Sequence, residues 1–319
     1  MRIFLTGASG ALGTRLIREL IQAGHEVVGT HASPTSANRV RALGAQPVAV
    51  DLLDQTAVRT AVLASDAEAI IHEATALSNF KLRRGLDTPF AQTNRLRTEG
   101  TDALLAAARE GGVRRFVAQS YAPYRYRRGG GTVKTEDDPL DTNPPAGSKA
   151  TFAALDHVDR AVTEFGGIAL RYGTFYGADN DGLIEPVRKR QFPIVGDGGG
   201  IMSFIHLDDA ASATALAVEH DGPAIYNIVD DEPAPVRDWL PVLADALGAK
   251  PPRHFPAWLG RAFAGETGIV IGTTARGASN DKAKRELGWT LRHPTWREGF
   301  RATYGDEPAA QREPSPTAR

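Results

Sequence analysis

Apolar residues in this chain come in short blocks separated by amphipathic stretches, and over the first half the alternation keeps a regular pitch. Ile3-Phe4-Leu5 is one block. Leu12, Leu16, Ile17 and Leu20 then recur at helical spacing, predicting a helix over 12–23 that stops at Gly24. A strand is predicted over 27–30, a short helix capped by Ser36 up to Leu43, a strand over 46–50, a helix capped by Asp54, and a strand over 69–72. A long helix over 91–110 follows. Its Gly100 costs about 1 kcal/mol relative to alanine, which predicts a close neighbour there. Strand 115–119 leads into a loop-like stretch over 120–145 that is rich in tyrosine and arginine, and loops of that length are usually functional.

Phe152, Leu155, Val158, Val162 and Phe165 mark the next helix, followed by strand 168–172. Beyond it the alternation loosens. Residues 179–200 are rich in glycine and proline, 203–218 returns to a strand-helix unit, and 224–228 is a strand. Helices are predicted over 236–247, 257–264, 281–287 and 295–304. Strands alternating with helices predict an α/β fold: a Rossmann-like doubly wound parallel sheet with a smaller C-terminal α/β substrate-binding part. The expected division is a dinucleotide-binding domain over 1–172, completed by about 203–228, and a smaller part formed by 173–202 and 229–304. Residues 305–319 lack periodicity and are expected to form a disordered tail.

Composition narrows the partners. The 319 residues carry 37 basic and 38 acidic side chains, a net charge of -1, so no global field draws the chain to nucleic acid or to an anionic membrane. A small-molecule substrate is expected, and a homodimer is allowed for. With no cysteine, disulfides and thiolate chemistry are excluded. No apolar run is long enough to span a bilayer, and the first strand begins at residue 2, so a cytoplasmic location is expected.

The densest chemical signal is Thr6-Gly7-Ala8-Ser9-Gly10-Ala11-Leu12-Gly13, where an apolar strand runs into three glycines and then a helix. Glycine lets a pyrophosphate approach bare N–H groups, and the helix N-terminus favours the negative charge. Thr6, Gly7, Ser9, Gly10, Ala11, Leu12 and Gly13 are therefore candidate cofactor contacts. The next strand ends Thr30-His31-Ala32-Ser33, with Arg39 and Arg41 behind it and no acid before Asp51. An NAD site usually places an acid there, whereas a 2′-phosphate wants hydroxyls and cations. NADP(H) is favoured over NAD(H), with His31, Ser33 and Arg39 as the candidate contacts.

The spacing Thr-Gly-x-x-Gly-x-x-Gly resembles the extended short-chain dehydrogenase/reductase family, the NAD-dependent epimerases and dehydratases. The likeness continues along the chain. Asp51-Leu52 stands where these enzymes meet the adenine, and His72-Glu73-Ala74-Thr75 resembles their strand end beside the cofactor. Thr93-Asn94 before Glu99-Gly100-Thr101 resembles their Asn-x-x-Gly-Thr helix start. Leu170-Arg171-Tyr172-Gly173, Gly196-Asp197-Gly198 with His206-Leu207-Asp208-Asp209, and Leu287-Gly288-Trp289 resemble later segments. The resemblance implies an NAD(P)-dependent epimerase, dehydratase or reductase acting on a sugar nucleotide or another small carbonyl or hydroxyl metabolite. It adds Asp51, Leu52, Ala74, Thr75, Asn94, Lys149, Tyr172 and Gly173 to the cofactor contacts. No metal is expected; Asp208 or Asp209 is read as a helix cap and His206 as a packed histidine.

One departure is sharp. The family's acid/base is a tyrosine four residues before a lysine, a spacing that sets both on one helix face. No Tyr-x-x-x-Lys occurs here, and the slot counted from Leu170-Arg171 reads Pro145-Ala146-Gly147-Ser148-Lys149. Proton transfer is expected to have moved to Tyr121, with Ser120, Tyr124 and Lys149 as further catalytic candidates and Arg125 or Arg128 as the cation that lowers a phenol's pKa. The alternatives are a non-catalytic NADP-binding sensor or scaffold, and a non-redox isomerase or cyclase on the same fold.

Overall fold

A computed structural model describes residues 1–77, 85–177 and 182–305. In chain order the elements begin β1 (Arg2–Thr6), α1 (Ala11–Gln22), β2 (Glu26–His31), α2 (Pro34–Ala42), β3 (Gln46–Ala49), α3 (Gln55–Ser65) and β4 (Ala69–His72). Next come α4 (Ala91–Arg95), a π turn over Leu96–Gly100, α5 (Thr101–Glu110), β5 (Arg115–Tyr121), β6 (Val133–Lys134), α6 (Lys149–Phe165) and β7 (Ile168–Tyr172). The remainder is β8 (Thr174–Tyr176), α7 (Ile184–Arg188), β9 (Ile194–Val195), β10 (Ile201–Met202), β11 (Phe204–His206), α8 (Leu207–Ala217), β12 (Ala224–Ile228), β13 (Ala234–Pro235), α9 (Val236–Ala246), β14 (His254–Phe255), α10 (Ala257–Ile269), β15 (Gly277–Ala278), α11 (Asp281–Leu287) and α12 (Trp296–Tyr304).

Seven parallel strands form the main sheet in the order β12-β7-β5-β4-β1-β2-β3. This is the doubly wound Rossmann-like α/β fold that the alternation predicts. Chain order reverses between β1 and β4, which opens a crevice at the carboxyl ends of those strands. Leu12, Leu16, Ile17 and Leu20 of α1 pack with the alanines of α8 in the core on one face. Val58 and Val62 of α3, Leu104 of α5 and Val158 of α6 are in the core on the other. A third core, around Trp239, Trp296, Phe204 and Phe300, belongs to the C-terminal part and is held by edge-on aromatic contacts.

Several local expectations change. Ser33, not Ser36, caps α2; the two form a capping box in which Ser33 Oγ accepts the Ser36 N–H at 3.2 Å. The helix over 91–110 is continuous but widens into the π turn before Gly100. The close neighbour expected at Gly100 is Leu52, which a Cβ there would meet at 3.6–3.8 Å, an ordinary contact that leaves room for alanine. The 120–145 stretch is tied down: β6 pairs with β15, Tyr126 bridges Leu140, and Tyr126 and Arg125 are buried. The helix expected over 257–264 runs on to Ile269 across a kink at Gly265. His206 rather than Asp208 or Asp209 caps α8, its Nδ1 accepting the Asp208 N–H at 3.1 Å. Of the expected tail, Gly305 ends α12 and 306–319 lie outside the described residues.

Candidate active site

The glycine turn is shaped by backbone contacts that no side chain could share. Gly7 has φ +70, and a Cβ there would lie 2.6 Å from the Glu73 carbonyl oxygen. At Gly13 it would lie 2.2 Å from the Gly7 oxygen, and at Gly10 3.1 Å from the same atom. The turn closes through the Gly10 N–H donating to Gly7 O at 2.9 Å. The N-terminus of α1 has neither a side-chain cap nor an acid in its first turn, so its orphan N–H groups remain for a ligand. The cradle fits a dinucleotide pyrophosphate. Of the other candidates here, Ala11 is exposed at the helix start, whereas Leu12 packs into the core. Thr6 departs from its expected role: its fully buried hydroxyl lies 2.7 Å from His72 Nδ1 and accepts the Glu73 N–H at 3.2 Å, joining β1 to β4. Burial presses His72 down to about 4 against an opposing pull from the Leu96 carbonyl, with the Arg97 charge adding a smaller push, so the imidazole is neutral near pH 7.

Beyond the turn, Arg39 Nη1 donates to the Ser9 carbonyl at 3.2 Å, which holds a guanidinium against the turn. Ser33 is occupied as the α2 cap, and His31 is half-buried at the end of β2. Asp51 accepts the Leu53 N–H at 3.0 Å, and Leu52 is buried. Ala74 and Thr75 follow β4 at the crevice, half-buried.

Tyr172 and Gly173 serve packing where cofactor contacts were expected. The Tyr172 hydroxyl lies 2.8 Å from Glu73 Oε1 and 2.6 Å from Thr214 Oγ1, in full burial, and its carbonyl accepts the Ala122 N–H. Burial drives the Glu73 carboxyl up to about 8. Gly173 lets β11 approach, since a Cβ would meet the Phe204 backbone at 2.8 Å.

A cavity of about 160 Å³ lies beside the end of β5 and the start of α6. Leu86, Phe90, Phe152, Leu155 and Phe175 give it apolar walls; Ser120, Tyr121, Tyr124, Thr151, Thr174 and Arg97 bring polar atoms. The Tyr121 hydroxyl is 3.0 Å from Thr174 Oγ1. Its ring meets that of Tyr124 edge-on at 5.5 Å, and Tyr124 stacks on Phe152 at 6.4 Å. Tyr124 has φ +50, a left-handed conformation uncommon for a bulky residue and a mark of local strain.

The expected cation differs. Arg125 is spent on Asp156 (2.6 Å), Asp159 (3.0 Å), Ser120 Oγ and the Tyr121 carbonyl, and Arg128 on Asp141 and the Asn143 carbonyl. Burial would raise Asp159, but Arg125 and Arg171 outweigh it and hold that carboxyl below the usual range. Burial also raises both Tyr121 and Tyr124, so each phenol stays protonated at neutral pH. Lys149 is exposed at the first residue of α6 and is not among the cavity residues. The preceding turn is pinned, with Gly147 O accepting the Leu86 and Asp87 N–H groups and Ser148 Oγ 2.8 Å from Thr267 Oγ1. Thr151 therefore faces the site, donating from N and Oγ1 to Asp87 Oδ1.

The residue missed in the sequence is Arg97. In Asn-x-x-Gly-Thr the asparagine stands three before the glycine, and three before Gly100 is Arg97; Asn94 lies one turn earlier, donating to Thr151 Oγ1 at 3.1 Å. Counting back from Gly100 would have found it. The fold also brings His293 against His206, ring centres 3.8 Å apart, with Asp208 near both. Asp208 carries Arg15 at 2.7 Å and His206 Nδ1 is used as the cap, so two of the three groups already have internal partners. His206 is lowered to about 4 by burial and then by His293.

A model described as the NAD dependent epimerase/dehydratase family matches residues 3–229. A 3-diazoavenalumate denitrifying reductase from a Streptomyces species is 42% identical, over 94% of this chain and 99% of the relative. A 4-hydroxy-2-methyl-3-oxo-4-farnesyl-3,4-dihydroquinoline-1-oxide ketoreductase of Stigmatella aurantiaca is 28% identical over 98% of both chains. Among solved structures, a dTDP-glucose 4,6-dehydratase of Streptomyces venezuelae with NAD bound shares the fold at a TM-score of 0.73 and 21% identity, over 95% of this chain and 96% of that one.

Proposed function

The chain belongs to the NAD-dependent epimerase/dehydratase family and is an enzyme of that family, and from this premise we propose that it is an NADP(H)-dependent reductase of a small aromatic molecule. One observation carries the reading: the cavity at the end of β5 is walled by leucine and aromatic rings. Its roughly 160 Å³ compares with the about 150 Å³ void that takes a single benzene ring. A sugar nucleotide would find few partners for its hydroxyls on such walls. The resemblance to reductases over nearly the whole chain points the same way.

Gly7, Gly10 and Gly13 would hold the pyrophosphate, with Arg39 toward a 2′-phosphate; a reduced nicotinamide supplies hydride. Tyr121 is the proposed proton donor when the acceptor is a carbonyl. Its raised pKa suits an acid that must remain protonated until the product oxyanion forms, and Thr174 orients the hydroxyl. Neither Lys149 nor Ser120 is needed for this role.

A second reading is favoured by Pro145, which removes the family's phenol. Replacing the dinitrogen of an aryl diazonium ion by hydride forms a C–H bond, breaks the C–N bond and releases N2, with no proton drawn from the protein. Such an enzyme could dispense with the tyrosine, and the diazo-reducing relative makes this substrate class the first to try.

NADPH oxidation measured across aryl ketones, enones and aryl diazonium salts tests both readings. Turnover confined to sugar nucleotides would overturn the proposal. Turnover of a ketone abolished by Tyr121→Phe supports the first chemistry; turnover of a diazonium ion unaffected by it supports the second.

A further inference from the structure

Arg97 sits in the π turn with 6% of its surface exposed and lines the apolar cavity. A buried guanidinium normally sits on a carboxylate, because taking a charge out of water without a partner costs several kcal/mol. Among the described residues Arg97 has no ion pair. Among those residues its one side-chain hydrogen bond is a long 3.4 Å contact from Nη1 to Asn94 Oδ1, and its Nε has no partner. Its guanidinium lies over the Phe90 ring, whose centre is 5.6 Å from Cζ, and it shares the cavity with Tyr121 and Tyr124. Burial, and then the nearby Arg125 charge, lower its pKa to about 10, so it stays cationic at neutral pH.

The other charges nearby do not neutralise it. Asp159, the carboxylate whose charge acts on Arg97, is shared between Arg125 and Arg171. This contrasts with Arg125, equally buried but held by two carboxylates. The π turn explains the placement: the extra residue in that turn re-registers the helix and rotates position 97 inward.

We propose that Arg97 is the anchor for an acidic group on the substrate, so that the substrate class is a single-ring aromatic carboxylate whose ring packs among Phe90, Leu86, Phe152 and Leu155. This rests on the reductase reading for its chemistry but not for its binding. A carboxylate supplies the planar acceptor that a guanidinium matches with two N–H donors, and it converts a costly buried charge into a paired one. The uncharged wall fixes the ring, and the cation fixes which end of the molecule goes in first.

The test is calorimetry on the full chain saturated with NADP+, using trans-cinnamate and its neutral isostere trans-cinnamamide. Wild type should prefer the acid by about tenfold or more, the scale of a hydrogen bond to a charged group. Arg97→Met should bring the two within about threefold, and Arg97→Lys should restore part of the preference. Equal binding of acid and amide by wild type overturns the proposal whether or not the variants fold. So does an acid preference that persists in a folded Arg97→Met that still binds NADP+. An Arg97-dependent preference without NADPH oxidation on any aromatic acid would leave the anchor standing and remove the reductase reading.

Discussion

The glycine turn and the aromatic cavity both lie toward the carboxyl ends of the parallel strands, yet they are specified in different ways. The turn is a matter of backbone: three glycines and an uncapped helix start within residues 2–22, and one approach to the Glu73 backbone at the end of β4. The cavity is a matter of side chains drawn from β5, the π turn, α6 and β8, which are far apart in the chain. A site made of backbone tolerates no Cβ and little variation. A site made of side chains can be rebuilt residue by residue, as Pro145 and Arg97 suggest has happened here.

The largest expected effect breaks the backbone half. A Cβ at position 13 would sit 2.2 Å from the Gly7 oxygen, and valine adds two methyl groups to it. Gly13→Val should abolish NADPH binding by calorimetry while leaving a cooperative unfolding transition. Undiminished affinity in that variant means that the turn does not hold the cofactor. For the side-chain half, Tyr121→Phe keeps the ring against Tyr124 and removes only the hydroxyl on Thr174. Carbonyl turnover should fall about 10²–10⁴-fold with NADPH affinity unchanged. A drop of less than threefold would move the search to Tyr124.

This difference also sets what could be read from the sequence. The succession of strands and helices, the Rossmann-like fold and the turn were legible because period-2 and period-3.6 patterns and glycine spacing are local. Tyr172 was read as a cofactor contact, and nothing local shows that Glu73 and Thr214 will occupy its hydroxyl. Lys149 was placed by counting to Leu170-Arg171, and counting cannot see that Gly147 is pinned to Leu86 and Asp87. Arg125 looked like a free cation until the fold set it on Asp156 and Asp159. Arg97 was passed over because the motif was matched at Asn94, six residues before Gly100, although its asparagine slot, three before the glycine, is Arg97; the π turn that holds it has no compositional signature.

Glu73 ties the turn to the end of β7, since its backbone abuts Gly7 and its carboxyl meets Tyr172. Burial raises it from 4.5 to about 8, so between those values the folded state holds a proton that the unfolded state has released. Stability from this group is present below pH 4.5 and is lost as pH rises toward 8. Glu73→Gln should remove the dependence. The variant should gain on wild type by a few kcal/mol between pH 5 and pH 8 in urea titrations, at about 1.4 kcal/mol per pH unit at most. His72 and His206 titrate in both proteins and cancel in the difference. A parallel pair of stability curves would show that Glu73 is ionised in the fold.

The smallest effect sharpens the comparison inside the backbone half, where one side chain is the proposed determinant of the cofactor's identity. Arg39 lies on the Ser9 carbonyl, so its charge stands beside the glycine turn, and β2 ends without the acid that would bind ribose hydroxyls. A guanidinium there meets a 2′-phosphate only in NADPH. Arg39→Ser should weaken NADPH binding by about tenfold, the 1.4 kcal/mol expected of one exposed charge-assisted contact, and leave NADH binding within twofold. The loss should shrink as salt rises, because an exposed contact is screened. Equal losses for both dinucleotides would mean that Arg39 only braces the turn, and tighter NADH than NADPH binding in wild type would overturn the NADP(H) preference itself.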